Sequence, residues 1–190
     1  MNVFRFFLTI AAACLLAGSA LPIADVVVPF VMKHAGRDQE TVEQLKARAQ
    51  TIDEALKYEA KSPAQKAAVL TLWKAEARFA RDVHAGGVGK LGSDDGRAKC
   101  LGQIHVNRKV PRAVWETLGG LDLAATRRCA WATLTILEGK MRYCRVWYSS
   151  EGVAVGFHAY ATGKCPKGEP NAKSRKRAAT WVRLHHALSQ

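Results

Sequence analysis

Apolar side chains recur every three or four residues over several long stretches of this chain, and this period most strongly limits what it can fold into. Between about residues 39 and 59 the repeat is carried by Val42, Leu45, Ala49, Ile52 and Leu56. Such spacing places the side chains on one face of an α-helix. Similar patterns predict helices at about 63–82, 121–137, 152–163 and 173–188. The sequence therefore predicts a mainly α protein.

The segment HAGGVGKLGSDDGRAKCLGQIHVN, residues 84–107, interrupts the helical pattern. Its many glycines predict a loop with a short β-hairpin. The chain has 190 residues, of which 48% are hydrophobic, enough for one core but not for two comfortable domains. We expect a leader at 1–20, a lead-in and helix at 21–60, and the main domain at 61–190.

The first twenty residues have the layout of an export signal. One cation, Arg5, precedes an apolar run from Phe6 to Ala17, and small residues follow up to Ala20. This pattern predicts cleavage after about Ala20. The alternative is an uncleaved membrane anchor, because the apolar stretch continues through Ile23 and approaches spanning length. Both interpretations place the protein outside the cytoplasm, secreted or periplasmic.

Export changes how the cysteines are interpreted. Four lie beyond the leader, at Cys100, Cys129, Cys144 and Cys165. An even number in an exported chain predicts two disulfides, for which three pairings exist. Zinc is the alternative, but no CxxC pair or matching histidine spacing supports it. We therefore expect two disulfides, with no metal and no cofactor.

The net charge of +13 indicates an anionic partner. Between Lys164 and Gln190 there are seven lysines and arginines against one acid, Glu169. The predicted basic C-terminal helix would suit cell-wall polymers or a membrane surface. Nucleic acid is disfavoured by export and by the lack of an RNA-binding signature.

Glu76 is out of place on its predicted helix. It falls on the apolar face, with Leu72, Trp73 and Ala80 one turn away. A carboxylate there loses hydration, which would raise its pKa and cost several kcal/mol unless the group is paired or used. One interpretation is an ion pair with an arginine from elsewhere in the fold. The other is a general acid that stays protonated near neutral pH.

Three motifs in order resemble those of the lysozyme-like lytic transglycosylases, the soluble lytic transglycosylase group related to goose-type lysozymes. Glu76 matches the catalytic glutamate late in a helix. CLGQI, with Gly102 and Gln103, matches the Gly-Leu-Met-Gln-type motif, and AYATG, with Tyr160, matches Ala-Tyr-Asn-x-Gly. The similarity runs from about residue 63 to 188. It implies an α+β lysozyme-like helical domain with the Gly-rich loop or hairpin beside an active-site cleft.

The resemblance also implies an activity. Such a protein cuts peptidoglycan glycan strands between N-acetylmuramic acid and N-acetylglucosamine, with Glu76 as its single catalytic carboxylate. Tyr160 would orient Glu76, while Gly102 and Gln103 would line the sugar subsites. The family's Ser and Asn are replaced here by Ala77 and Ala161.

A hydrolase needs a second carboxylate. Asp94 and Asp95 at the expected lip of the cleft are the candidates, with Asp95 predicted to contact substrate. The alternative for both is ordinary turn chemistry before Gly96. Two rival functions remain. One is a weak or inactive wall-binding protein of the same fold, and the other is a basic helical membrane-interacting structural protein.

We predict Cys129–Cys144 and Cys100–Cys165 as the disulfides. The first requires the third helix to break near Gly139, since a continuous helix would hold its cysteines about 22 Å apart. The second would tie CLGQI to the residue that follows AYATG by two positions, the segments that the resemblance places beside Glu76.

Overall fold

The computed structural model describes residues 24–36, 40–86 and 97–190. The predicted leader at 1–20, the predicted substrate contact Asp95 and the other candidate second carboxylate, Asp94, lie outside these ranges. The described chain is mainly helical, as predicted. Its helices are α1 (Ala24–His34), α2 (Val42–Glu59), α3 (Pro63–Ala77), α4 (Arg81–His84), α5 (Arg112–Glu116), α6 (Leu123–Tyr143), α7 (Ser150–Thr162) and α8 (Ala172–Leu188).

The longer helices after α1 start at capping side chains. In each case a side-chain oxygen accepts a hydrogen bond from the backbone N–H three residues ahead, which satisfies one of the free amides of the first turn. The capping residues are Thr41, Ser62, Asp122, Ser149 and Asn171. Helix α7 ends at Gly163 in the left-handed conformation with φ of 78°, the stop that the sequence predicts.

One hydrophobic core joins the helices. α2 packs on α1 and α6, α3 packs on α8, and α7 contacts both α6 and α8. Trp73, Phe79 and Phe157 are the bulkiest fully buried side chains. α1 was not predicted, because Pro29 lies inside it. Its Val27 and Val31 are completely buried, so packing stabilises a helix that local pattern does not indicate.

α3 ends five residues before the predicted end at about residue 82. Arg78 and Phe79 both adopt the left-handed conformation, with φ of 49° and 52°. Phe79 is fully buried, and its carbonyl oxygen accepts a 2.8 Å hydrogen bond from the buried Arg48 guanidinium. These long-range contacts of Phe79 outweigh the helical periodicity.

The predicted disulfide pairing is wrong. The structure pairs Cys100 with Cys129 and Cys144 with Cys165, with Cα–Cα distances of 6.1 and 5.6 Å. Neither Cys129–Cys144 nor Cys100–Cys165 forms, because α6 continues through Gly139 to Tyr143 without a break. At 1.5 Å per residue the helix holds Cys129 and Cys144 about 22 Å apart. The CLGQI turn is therefore tied to the middle of α6.

Strand pairing within the described ranges is limited to one antiparallel bridge between Lys99 and Ile104. The turn that it closes contains Gly102 and Gln103. No helix in the described part of the chain is both long and apolar enough to span a bilayer.

Candidate functional site

Glu76 lies in the last turn of α3, beside a basic residue of α8. Its Oε1 is 2.8 Å from Nη1 of Arg177, and the two side chains are 22% and 17% exposed. Neither atom has a partner with hydrogen-bond geometry among the described residues, so the attraction is mainly electrostatic. The ion-pair interpretation of Glu76 therefore describes the contact that forms.

Arg177 was not singled out by the sequence analysis, which placed KSRKR on a basic, solvated helix. A signal was available, since Arg177 lies one turn before Trp181. Trp181 is buried, and its indole N–H donates to the Ala64 carbonyl oxygen at the start of α3. Residues four apart share a helix face. Arg177 therefore points toward α3, unlike its exposed neighbour Lys176.

The CLGQI turn is fixed from several sides. Lys99 and Ile104 exchange two backbone hydrogen bonds of 3.0 and 2.9 Å, and Trp115 donates to the Ile104 carbonyl oxygen at 2.6 Å. Cys100 and Gln103 both have positive φ, 56° and 50°. The side-chain amide of Gln103 donates to the Cys100 carbonyl oxygen at 3.3 Å. The turn thus holds a conformation that its own residues disfavour.

Gly102 is the closest-packed point of this turn. A Cβ there would overlap the Thr133 hydroxyl of α6 and lie 3.3 Å from the Tyr160 hydroxyl of α7. The same Thr133 oxygen accepts a 3.0 Å hydrogen bond from the Trp73 indole of α3. Gly102 therefore allows α6 and α7 to approach the turn closely, and Thr133 links this point to α3.

Tyr160 is bonded to this turn and lies within electrostatic range of Glu76. Its hydroxyl donates a 2.6 Å hydrogen bond to the Gly102 carbonyl oxygen. Burial raises the pKa of Tyr160, and the nearby Glu76 carboxylate raises it further, while Thr133 and Arg177 act in the opposite direction. The hydroxyl therefore stays protonated and remains a donor. The structure thus bonds Tyr160 to Gly102, and Glu76 lies near enough to Tyr160 to act on its pKa.

A groove of about 540 Å³ runs along one side of Tyr160. Gln103 shares its wall, so two of the predicted substrate contacts face one cavity. Glu76 is not among the lining residues. The remaining lining residues are His105, Asn107, Arg108, Lys109, Ile136, Gly139, Lys140, Tyr143 and Gly163.

The described residues contain no group of three His, Cys, Asp or Glu side chains that could hold a metal ion. The chain matches no model of a known protein family, and searches of curated proteins and of solved structures find no similar protein. Any functional conclusion therefore rests on the site itself.

Proposed function

We propose that this protein is an exported lytic transglycosylase that cuts peptidoglycan between N-acetylmuramic acid and N-acetylglucosamine. The observation that carries the proposal is the hydrogen bond from Tyr160 to Gly102, with the Glu76 carboxylate near enough to Tyr160 to raise its pKa. Nothing in their separation along the chain requires this proximity. In the proposal the helical body is lysozyme-like, and the bridged turn from Lys99 to Ile104 is part of the hairpin beside the cleft.

In the proposed reaction Glu76 first donates its proton to the glycosidic oxygen, and the bond from this oxygen to C1 of the muramic residue breaks. The 6-hydroxyl of the same muramic residue then attacks C1 and returns its proton to Glu76. The products are an N-acetylglucosamine end with a free 4-hydroxyl and a 1,6-anhydro muramic end. No water is consumed, so a single carboxylate suffices.

Tyr160 acts as a positioning residue in this proposal. Its hydroxyl is committed to the Gly102 carbonyl oxygen, so it fixes the turn rather than touching the glycosidic bond. Gln103, on the groove wall, supplies an amide to the sugar. Asp95, which lies outside the described residues, remains a proposed sugar contact.

Arg177 limits the acid role of Glu76. Its guanidinium nitrogen lies 2.8 Å from Oε1 of Glu76, the carboxylate that must reach the glycosidic oxygen in the proposed reaction. The proposed reaction therefore requires substrate to separate the pair before Glu76 acts. Entry of a sugar between α3 and α8 would do this by displacing Arg177.

The charge suggests how the protein meets its substrate. The exposed Lys173, Arg175 and Lys176 of α8 would attract anionic wall polymers or a membrane surface. Two disulfides support a route through an oxidising compartment. Export through the leader at 1–20, with cleavage or as an anchor, belongs to this proposal.

The test is the mass spectrum of fragments released from purified peptidoglycan. Wild type should release fragments with 1,6-anhydro muramic ends, while Glu76→Gln should release none because its amide cannot donate the proton. Glu54→Gln, at an exposed glutamate of α2 that pairs with Lys57, is a control that removes a carboxylate elsewhere. Reducing ends in place of anhydro ends would indicate a hydrolase.

The Glu76–Arg177 pair favours one second candidate, a wall-binding protein of the same fold that has lost catalysis. That protein would bind peptidoglycan and release nothing, with Glu76→Gln leaving the binding unchanged. A basic membrane-interacting structural protein would instead bind anionic vesicles and ignore peptidoglycan.

A further inference from the structure

The groove beside Tyr160 is basic at one end. Arg108, Lys109 and Lys140 line it, and none of its described lining residues is acidic. Tyr143, which is 71% exposed, adds an aromatic surface to the same groove. Sugars bind through amides and aromatic faces, so the cations need a separate explanation.

Lys109 reaches the groove across α6 at Gly139. A Cβ at residue 139 would overlap the Lys109 ammonium and lie 2.9 Å from its Cε. Glycine inside a helix destabilises it relative to alanine. Gly139 does not break α6. The absence of a side chain at this position instead makes room for the Lys109 ammonium. The ammonium is therefore seated in a notch on the helix.

Lys140, the next residue, also lines the groove and is held in place. Its ammonium donates a 2.8 Å hydrogen bond to the Gly163 carbonyl oxygen, at the end of α7. Gly163 also lines the groove and follows Tyr160 by three residues. Two ammonium groups of the groove lining are thus positioned by backbone, one at Gly139 and one at Gly163, and each keeps donors for a ligand.

We propose that Lys109 and Lys140 bind carboxylate groups carried by the muramic residues of the glycan strand, including those of their peptide substituents. The inference rests on the proposed function for its polymer and deepens it by naming the charged part that is recognised. Carboxylates that repeat along a strand would place one at this end of the groove whenever sugars fill it. The groove would consequently discriminate against neutral glycans.

The test compares two preparations of the same soluble glycan strands. One keeps its free carboxylates, and in the other these are coupled to glycinamide and so made neutral. Binding is measured with Glu76→Gln as the background, so that no cleavage occurs. We expect the free-acid strands to bind about tenfold more tightly, the effect expected of two partly exposed charge contacts.

Two variants test the residues. Lys109→Met with Lys140→Met should bind both preparations equally. Gly139→Ala should displace Lys109 from its notch and reduce the preference while α6 remains helical. Lys46→Met, an exposed lysine of α2, removes one charge elsewhere and should keep the preference. Circular dichroism and the melting temperature verify folding of each variant.

The outcomes separate this inference from the proposed function. Equal binding of both preparations, with anhydro products still released by wild type, would overturn the carboxylate site alone. Charge-dependent binding without any release by wild type would support the site and refute the transglycosylase. Failure to bind either preparation would overturn both.

Discussion

The Tyr160 hydroxyl and the Gly102 carbonyl oxygen form a 2.6 Å hydrogen bond across 58 positions of the chain. Because the bond joins α7 to the bridged turn, it fixes where Gln103 lies relative to the groove. Removal of this donor would leave the Gly102 carbonyl oxygen without a partner and would lower the free energy of unfolding by about 1–3 kcal/mol.

Gly102→Ala should lower the free energy of unfolding by about 1–3 kcal/mol, because its Cβ would overlap the Thr133 hydroxyl. The matched control is Gly168→Ala, at a position where a Cβ meets nothing within 4 Å. That control should change stability by no more than about 0.5 kcal/mol. Urea unfolding measures both, and equal values would contradict the close packing at Gly102.

The two disulfides should differ in their effect on activity. They close loops of 29 and 21 positions, so on the chain-entropy estimate each contributes about 3–4 kcal/mol. Replacing Cys100 and Cys129 by alanine should also release the CLGQI turn from α6 and abolish wall cleavage. Replacing Cys144 and Cys165 should cost similar stability and spare activity at temperatures where the variant is folded.

Peptide mapping under non-reducing conditions tests the connectivity directly. A peptide that joins Cys100 to Cys165 would contradict the structure. The activity comparison fails if both double variants lose cleavage equally while circular dichroism shows both folded.

The Glu76–Arg177 pair should show a coupling energy of about 1 kcal/mol in a double-mutant cycle, since the pair is mostly but not fully buried. Glu76→Gln, Arg177→Met and the double variant supply the cycle by urea unfolding. The control cycle uses Arg175 of α8 and Glu169, which precedes the helix; the two side chains are 2.9 Å apart and exposed. Its coupling should be close to zero, and a larger value there would contradict the importance of burial.

His84 should make the protein acid-sensitive. The ring is buried, its Nε2 lies 2.8 Å from the Thr126 hydroxyl, and burial lowers its pKa from 6.5 to about 3. Between these values the unfolded histidine is protonated while the folded one is neutral. The unfolded state then binds more protons, so stability falls as the pH falls from 6.5 towards 3.

The expected slope from this group is about 1.4 kcal/mol per pH unit inside that window. Carboxylates also titrate there, so the measurement is the difference between wild type and His84→Gln in urea unfolding from pH 7 to pH 4. The variant should be less stable at pH 7 but lose less on acidification. Parallel curves would show that His84 does not contribute.

Local sequence predicts the helices well wherever a cap or a stop is encoded by one residue. Ser62 starts α3 and Gly163 stops α7, as expected. The prediction of a break at Gly139 was wrong because glycine has the same low helix propensity in two different situations. It can end a helix, or it can lie inside one where another side chain crosses closely. The sequence does not distinguish the two cases, and the error propagated into the disulfide pairing.

The site was predictable as a set of segments but not as a set of contacts. The apolar neighbours of Glu76 indicate that it lies inward, and the motif order suggests Gly102 and Tyr160 as companions. Arg177 was missed because KSRKR was treated as one basic, solvated segment. Assigning each residue to a face of the helix would have separated Arg177 from its neighbours. Ion pairs between helices that are far apart in sequence depend on how the helices pack. The spacing of apolar residues along each helix does not determine that packing.

The early end of α3 determines how Glu76 can be reached. Had the helix continued to residue 82, positions 79 and 80 would stand one turn above the carboxylate on the same face. The left-handed Arg78 and Phe79 instead end the helix, and the Phe79 side chain is buried in the core. The carboxylate thus escapes steric shielding by its own helix, and a substitution that restores helical geometry at 78 and 79 would close off access while leaving every side chain of the site unchanged.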